Sequence, residues 1–469
     1  MPPPVSPDAI AQLKALLGPG GWSDDPDRLA PKLAEWRGRW TGVTPLLALP
    51  HSTAEVAAVV GFCAERGIAI TPQGGNTGLV GGQIPQGEIL LSLERMSAVR
   101  DIDGFDDVIV AEAGVTLAAL HDAAESIRRV FPVHVASEGS ATVGGLVSTN
   151  AGGTQVLRYG NMREQVLGLE AVLPNGEVWN GLKRLRKDNT GYDLKQLLIG
   201  AEGTLGVVTA ASLKLRPQLA SHAVAMAGVN SPHEAVKLLA RARAESGGAL
   251  EAFELISRAG MALVVKNLPD QREPLQGAHP WCILIETAAA EPGAAEAVME
   301  RVLASALEDG LIQDAAIAQT TAQARAFWAL RELQSEAQRS EGAAWKHDVS
   351  APISRIAEFL ERASADIAAR WPGVRIVAFG HLGDGNIHYD ILAPEGGDQR
   401  AHAAVRDAAA RLVYDLIASL GGSISAEHGL GAMKTEEALR YKSPIEVEAQ
   451  RALRAALDPK RIMNPRVLF

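Results

Sequence analysis

The chain has 469 residues, enough for about three domains, and 47% of them are apolar, so each domain can build its own core. Its 55 acidic against 45 basic residues leave a formal charge of -10, which excludes nucleic acid and an anionic membrane as main partners; an anionic substrate would need a local positive pocket. Cys63 and Cys282 are the only cysteines, too few for a disulfide framework, an iron–sulfur cluster or a thiolate zinc site, and a reducing, cytoplasmic setting is expected.

The N-terminal stretch MPPPVSPDAIAQLKALLG lacks the basic start and continuous apolar core of a signal peptide, and no later run is long enough to span a bilayer, so a soluble, unprocessed chain is expected. Ser52 and Glu55 make a capping-box pattern, after which Val56, Val59, Val60 and Cys63 recur at helical spacing until Gly67 stops the helix. A short strand over 68–70, the loop TPQGGNTGLVGGQIP and a strand over 89–93 follow. A dinucleotide fingerprint needs strand, GxGxxG and then helix, so that pyrophosphate sits on a helix N-terminus; this loop has other spacing and leads into a strand.

Further strands are predicted over 108–113, in the hairpin LEAVLPNGEVW with its Asn175-Gly176 turn, and over 207–215. Two more glycine clusters interrupt them, EGSATVGGLVSTNAGG and GAEGTLGVV. One glycine loop is weak evidence of function, because turns need glycine anyway. Three of them between strands, studded with Ser, Thr and Asn, suit backbone donors aimed at one long anionic ligand.

Beyond Pro217 strands and helices alternate: Ser231 caps a helix starting at Pro232, the strand WCILIET follows, then a helix over about 294–307 and another beginning near Thr321. This reads as a separate α+β domain, and from about Met433 the chain is mainly helical to the tail RIMNPRVLF.

Two segments in the C-terminal third carry metal-site chemistry. In HLGDGNIH a strand brings His381 to its end, the Gly383-Asp384-Gly385 turn reverses the chain, and a second strand returns His388 to the same end of the sheet. The segment SAEHG adds Glu427 and His428. Two imidazoles and a carboxylate suit a catalytic divalent metal, typically zinc, with a position left open for substrate. Histidines flanking a glycine turn are also often plain hydrogen-bonded hairpin residues. Glu427 and His428, as neighbours, can serve one site only if the strand ends there, since adjacent strand residues face opposite ways; Gly429 makes such an ending plausible.

With these features in place, the chain resembles flavoproteins of the vanillyl-alcohol oxidase class, in the group that holds D-2-hydroxyglutarate dehydrogenases, D-lactate dehydrogenases and the glycolate oxidase flavin subunit, and it is most like the first of these. The segments that carry the likeness are PQGGNTGLVGG, TNAGG followed by RYG, LRKDNTGYDLKQLLIGAEGTLG, WALRE, GHLGDGNIH, SAEHG and DPKRIMNP, in that order along nearly the whole chain. The resemblance implies an α+β fold: an FAD-binding domain of the VAO/PCMH type over 1–217, an α+β substrate-binding cap domain over 218–425, and a short helical C-terminal region over 426–469 that packs back on the first.

It also implies extended FAD. Gln73, Gly74, Gly75, Asn76, Thr77, Gly78 and Gly82 would hold the pyrophosphate through main-chain amides. Ser140, Thr142, Gly144, Gly145, Asn150, Ala151 and Gly152 would line the flavin and ribityl chain, Gly203, Gly206 and Val208 would approach the adenosine half, and Asn464 would lie near the cofactor. Relatives that attach flavin covalently through the first loop have histidine where this chain has Asn76, so noncovalent FAD is expected. His381, His388 and Glu427 are implied as ligands of a divalent metal, zinc, and His428 as catalytic base.

Arg331 and Ser335 stand four apart on one predicted helix and so share a face. On the helix alone Arg331 reads as a solvated surface arginine; in the family the matching arginine, the hydroxyl residue and a lysine matching Lys346 hold substrate carboxylate, for which guanidinium is a bidentate fork and ammonium a movable point charge. Two departures stand out. Ser335 replaces an expected threonine, and Asp390, on the same strand face as His388, replaces an expected asparagine and would repel a second substrate carboxylate.

The implied activity is oxidation of a D-2-hydroxy acid, D-2-hydroxyglutarate above all, to the 2-oxo acid, with electrons leaving to an external acceptor, an electron-transfer flavoprotein or a quinone. A D-lactate or glycolate-type dehydrogenase is the alternative within the family, and a homodimer is the expected assembly. From other classes, a zinc metallohydrolase built on His381, His388 and Glu427 and a flavin- or nucleotide-binding module without catalysis stay open.

Overall fold

In the computed structural model, which describes residues 4–468, helix Thr53–Arg66 forms where the capping pattern places it. Ser52 Oγ accepts from the Glu55 N–H at 3.3 Å, and Gly67 ends the helix at φ 66. The box is half-formed, because Glu55 Oε2 accepts from the His51 N–H at 2.9 Å rather than from Ser52. Val56, Val59, Val60 and Cys63 are wholly buried on the face that meets Ile70, Ile89 and Leu91. The strand expected over 68–70 begins later, at Ile70–Gln73, because the Ile68 N–H is taken by the Cys63 carbonyl at 2.9 Å as the helix unwinds.

The chain divides into two units, one of Met1–Gly153, Tyr159–Gln218 and Glu427–Phe469, the other of Thr154–Arg158 and Leu219–Ala426. The first holds two principal sheets. In one, Leu47–Ala48, Ile89–Ser92 and Ile70–Gln73 run parallel, with Trp22–Ser23 antiparallel at the edge. Met463 bridges Ile70 in parallel, so the tail lies beside that strand, where Asp458 accepts from the N–H groups of Ile462 and Met463 at 3.0 and 2.9 Å. The other sheet is antiparallel, in the order Val99–Asp103, Val108–Glu112, Val207–Lys214, Val166–Val172, Val178–Gly181. Its three central strands, Val108–Glu112, Val207–Lys214 and Val166–Val172, are buried almost throughout because helices and loops cover them, while the edge strands are exposed, and Ile109, Leu169, Ala211 and Leu213 lie at its core with Phe131 and Met162.

The second unit is one antiparallel sheet in the order Asp314–Ile317, Ser221–Val229, Trp281–Ala289, Leu250–Ser257, Arg375–Gly380, Asn386–Leu392, Ala344–Ser350. Helices Pro232–Glu245, Arg258–Asn267, Ala294–Glu308, Thr321–Glu332, Ile356–Arg370 and Arg406–Ser419 are among those that pack with it, so the α+β class expected from the sequence is the one adopted. One expectation fails locally. Arg331 and Ser335 do not share a continuous helix: Thr321–Glu332 ends at Leu333 (ψ 4), and Ser335 lies on the separate short helix Gln334–Ala337. The Gln334 side chain donates to the Leu330 carbonyl at 2.8 Å, competing with the backbone ladder at the junction.

Cys63 and Cys282 are both buried and free, and burial pushes each thiol up to about 12, which leaves them inert. Among the described residues no helix is long and apolar enough to cross a membrane.

Candidate functional site

In the first unit the site is built of main chain. Gln73 ends its strand buried, with Nε2 donating to the carbonyls of Lys32 and Gln83 at 2.9 and 3.0 Å. After it, no group among the described residues accepts from the main-chain N–H of Gly74, Gly75, Asn76, Thr77 or Gly78. Asn76 sits at φ 56, held by Nδ2 donating to the Pro31 and Ala34 carbonyls, each at 3.0 Å. Gln83, which no sequence pattern singles out, closes the loop by donating to Asn76 Oδ1 at 3.2 Å and to the Gly78 carbonyl at 2.7 Å. A row of free N–H donors on a braced loop is an anion cradle.

A second glycine segment lies against it. A Cβ on Gly75 would overlap the Ser140 carbonyl, and one on Gly74 would overlap Thr142 Oγ1. Thr142 stands at the N-cap position of helix Val143–Thr149 but makes no cap bond, and its hydroxyl is buried without a partner. The N–H groups of Val143 and Gly144 are occupied by the carbonyls of Val115 and Ala113, whereas Gly145 follows Thr142 closely enough to meet the same Gly74 position. A buried hydroxyl with no partner costs about 1–3 kcal/mol, which a polar ligand here would recover. These two segments therefore fit a long anionic cofactor.

The other residues implied for FAD have structural duties as well. Asn150 closes helix Val143–Thr149 at φ 50 and accepts from the Arg163 N–H at 2.9 Å, and the Ala151 carbonyl accepts from Met162. Gly203 and Gly206 have φ 72 and 153, and Val208 places its side chain in the core, leaving its backbone for any contact with a ligand. Asn464 is buried and donates to the carbonyls of Gly82 at 2.9 Å and Glu202 at 2.8 Å, joining the tail to the first and third glycine loops.

The segment carrying Glu427 and His428 is irregular, with no strand from Ser425 onward, so the condition for both neighbours to serve one site is met; both are half-buried. Glu202 anchors the turn just beyond them. Its carboxylate accepts from the Leu430 and Gly431 N–H groups at 2.9 and 2.8 Å, while burial pushes its carboxyl above the usual range against the pull of those amides.

In the second unit the site is built of charged side chains. Phe379 pairs with His388 across the hairpin, and His381 lies one residue past the strand in the turn, where its carbonyl accepts from Asp384, Gly385 and Asn386. The two imidazoles are 5.9 Å apart between centroids, edge to face. His381 Nδ1 is 2.8 Å from Glu254 Oε1, and Arg331 Nε donates to Glu254 Oε2 at 2.6 Å. Arg331, far from a solvated surface residue, is 7% exposed. Burial would raise the Glu254 carboxyl, but the His381 and Arg331 charges and hydrogen bonds outweigh it and hold it at about 2.

Register aligns a second set on one face: Lys346 opposite Asp390, and Asp348 opposite His388. Asp348 Oδ1 lies 4.0 Å from His388 Nδ1 and accepts from Asn386 Nδ2 at 2.9 Å. Lys346 Nζ is 3.4 Å from Asp390 Oδ2, so the carboxylate at the departing position already neutralises the lysine. Ser335 is half-buried. Glu254 and Asp348 escape a reading of the sequence; the one signal they leave there is an acid inside an apolar strand run, which must have a buried partner.

Both histidines have a carboxylate on the Nδ1 side, His381 at hydrogen-bond distance from Glu254 and His388 at 4.0 Å from Asp348, an arrangement of the kind that supports a metal-ligating imidazole. Arg331 Nη2 is 3.4 Å from His381 Nε2.

Two family models match the chain: an FAD binding domain over 44–181 and the C-terminal domain of FAD linked oxidases over 218–468. The mitochondrial D-2-hydroxyglutarate dehydrogenase of Bos taurus is 40% identical over 98% of this chain and 83% of its own length; that of Arabidopsis thaliana is 38% identical over 97% and 80%. A crystal structure of p-cresol methylhydroxylase with substrate bound superposes with a TM-score of 0.74 at 17% identity, covering 98% of this chain and 96% of that one, which bears on fold alone. The cytoplasmic setting expected from cysteine usage is overturned by these relatives, which are named mitochondrial; two buried thiols are inert in either compartment. Flavin-domain matches over both units leave the metallohydrolase alternative without support. The chain binds FAD and belongs to the family of FAD-linked oxidases that includes the D-2-hydroxyglutarate dehydrogenases.

Proposed function

We propose that this chain oxidises D-2-hydroxyglutarate to the 2-oxo acid. The observation that carries the reading is the buried set Glu254, Arg331, His381 in the second unit: a guanidinium bonded to a buried carboxylate, beside an imidazole whose Nδ1 lies on the same carboxylate. Such a set has one use for an anion and one for a metal. FAD, held noncovalently by the loops around Gly75 and Thr142, supplies a hydride acceptor when bound. Asn76 supports noncovalent attachment, since it is an amide engaged with two carbonyls.

His381, His388 and Glu427 would hold a divalent metal, zinc, which when bound acidifies the substrate hydroxyl. His428 takes the hydroxyl proton as the carbon–hydrogen bond breaks. Arg331 grips the carboxylate next to the reacting carbon, and Ser335 and Lys346 serve the carboxylates of the same substrate. Electrons leave to an electron-transfer flavoprotein or a quinone, and the working assembly is a homodimer. The Lys346–Asp390 pair favours a second reading, a shorter acid such as D-lactate, because the lysine has little charge left for a distal carboxylate.

The test is anaerobic bleaching of the flavin by a panel of D- and L-hydroxy acids, before and after chelation. Rapid bleaching by D-2-hydroxyglutarate, absent with the L-isomer and lost on chelation with flavin retained, is expected. Bleaching by D-lactate alone selects the second reading, full rates after chelation remove the metal, and no bleaching by any hydroxy acid sinks the dehydrogenase assignment.

A further inference from the structure

In the first unit, His121 meets His134 and Glu138 of the segment that leads into Ser140 and Thr142, and none of the three has been given a role so far. His121 lies on helix Leu117–Glu125, and the other two lie on the irregular stretch between strand Arg129–Val130 and helix Val143–Thr149. A ring nitrogen of each histidine and a carboxylate oxygen of Glu138 fall within 4.8 Å of one another. The two rings are 4.5 Å apart between centroids. Their Nδ1 atoms address the two oxygens of one carboxylate: His134 Nδ1 is 2.6 Å from Oε1, and His121 Nδ1 is 3.6 Å from Oε2.

The tautomer of His121 is fixed from behind. Its Nε2 is 3.0 Å from the Val133 carbonyl, which can only accept, so Nε2 carries the proton and the neutral ring turns the Nδ1 lone pair toward Glu138. Burial, and then the neighbouring His134, lower the affinity of His121 for a second proton. A lone pair facing a carboxylate oxygen is repulsive unless a proton or a metal ion lies between them, and burial disfavours the proton. A backbone carbonyl holding the distal N–H of an imidazole is also the ordinary support of a metal-ligating histidine.

We propose that His121, His134 and Glu138 form a further divalent transition-metal site, with both Nδ1 atoms and one carboxylate oxygen as ligands and solvent in the remaining positions. Zinc holds nitrogen at about 2.0–2.1 Å, which sets tetrahedral ligand atoms roughly 3.3 Å apart. His134 and Glu138, whose side chains are 41 and 37% exposed, can rotate to that spacing around His121, which stays on the Val133 carbonyl. The other histidine–carboxylate cluster, His222 with Glu251 and Glu286, is a poorer host, because Gln155 donates to Glu251, Trp328 donates to Glu286, and Arg158 lies 3.8 Å from Glu251.

The site would act on the cofactor loop. Helix Leu117–Glu125 already meets that loop through Ala118 N–H to the Glu138 carbonyl at 3.1 Å and Leu117 N–H to the Ala141 carbonyl at 2.8 Å. A metal across His121 and Glu138 would cross-link the helix to the stretch that carries Ser140 and Thr142. Because imidazole binds a metal only through an unprotonated nitrogen, affinity for the metal falls as pH is lowered.

The test uses purified holoenzyme stripped with EDTA, checked for full flavin absorbance, and dialysed against Zn2+. Metal content by mass spectrometry is expected to be one equivalent per chain lower in the H121Q/H134Q double variant than in the parent, with flavin unchanged, and the zinc-induced rise in Tm is expected to disappear. Glu138→Gln keeps the shape of the side chain and guards against a folding defect; it should weaken zinc at least about tenfold, because it replaces an anionic ligand with a neutral one. His388→Ala should keep this equivalent. Equal zinc content in the parent, the H121Q/H134Q variant and Glu138→Gln, or zinc lost only from His388→Ala, overturns the site.

Discussion

On the proposed reading, the two units recognise anions with different parts of the polypeptide. In the first, the donors are main-chain N–H groups on loops stripped of side chains, and the side chains nearby, Gln73, Gln83, Asn76 and Asn464, brace the loops. In the second, the recognising groups are buried charges on adjacent strands and a helix, each held by an opposite charge. The difference decides what each can tolerate. A backbone site is indifferent to most side-chain chemistry but has no room for an added carbon, whereas a side-chain site accepts changes of size more readily than the loss of one member of a pair, which strands its partner without solvent.

The largest effect should come from adding a single carbon to the first unit. In Gly75→Ala the new Cβ meets the Ser140 carbonyl, and neither is the end of a flexible side chain, so one of the two cofactor loops must move. The variant is expected to purify with little or no flavin, read from the flavin-to-protein absorbance ratio. Full flavin content would break the comparison, because the cradle would then not depend on backbone approach.

In the second unit the sharper change keeps the shape and removes the charge. Glu254→Gln leaves Arg331 and His381 facing a neutral amide. Partners behind a metal-ligating histidine commonly carry about 10–100-fold in metal affinity or activity, and turnover should fall by that much with flavin content unchanged. A loss of flavin instead would mean that this acid supports the fold rather than the pocket.

The legibility of each unit obeys the same contrast. A backbone site writes itself into the sequence as glycine, so the loops at Gly74 and Gly144 are marked by residue order alone, as is the hairpin that carries His381 and His388. Glu254 is not, because its partners lie 77 and 127 residues away and only the order of strands brings them together. Arg331 looks like surface for the same reason: helical spacing tells which residues share a face but not which face is covered. The break at Leu333 is hidden as well, since it depends on the Gln334 side chain competing for a carbonyl. Asp390 is legible as a departure, but not as the partner of Lys346, which register alone sets.

That pair carries the next prediction. Asp390→Asn releases Lys346 from its counter-charge and removes an anion from the face where His388 lies. Catalytic efficiency with D-2-hydroxyglutarate should rise relative to D-lactate by roughly tenfold, the equivalent of about 1.4 kcal/mol. An unchanged ratio would show that Lys346 does not read the distal carboxylate and would reduce the second unit's pocket to Arg331 alone.

The smallest effect tests whether the reliance on paired charge extends beyond the pocket. Glu341 lies elsewhere in the second unit, accepting from Arg375 Nη1 at 2.5 Å and Asn267 Nδ2 at 2.7 Å, with Lys266 Nζ at 3.0 Å. The hydrogen bond from Arg375, then that from Asn267, hold its carboxyl at about 2 against the opposing effect of burial. The folded value lies below the ordinary glutamate value of about 4.3, so the fold prefers the ionised form; the stabilisation is complete above that value and is lost as pH falls toward 2. Glu341→Gln should therefore melt a few degrees lower than the parent at neutral pH, and scanning calorimetry at successively lower pH should find the gap closing once pH passes below about 4.3. A gap that stays constant as the parent's carboxyl is titrated would mean that Arg375 and Asn267 value the shape of the side chain and not its charge, and the contrast between the units would then hold only in the pocket.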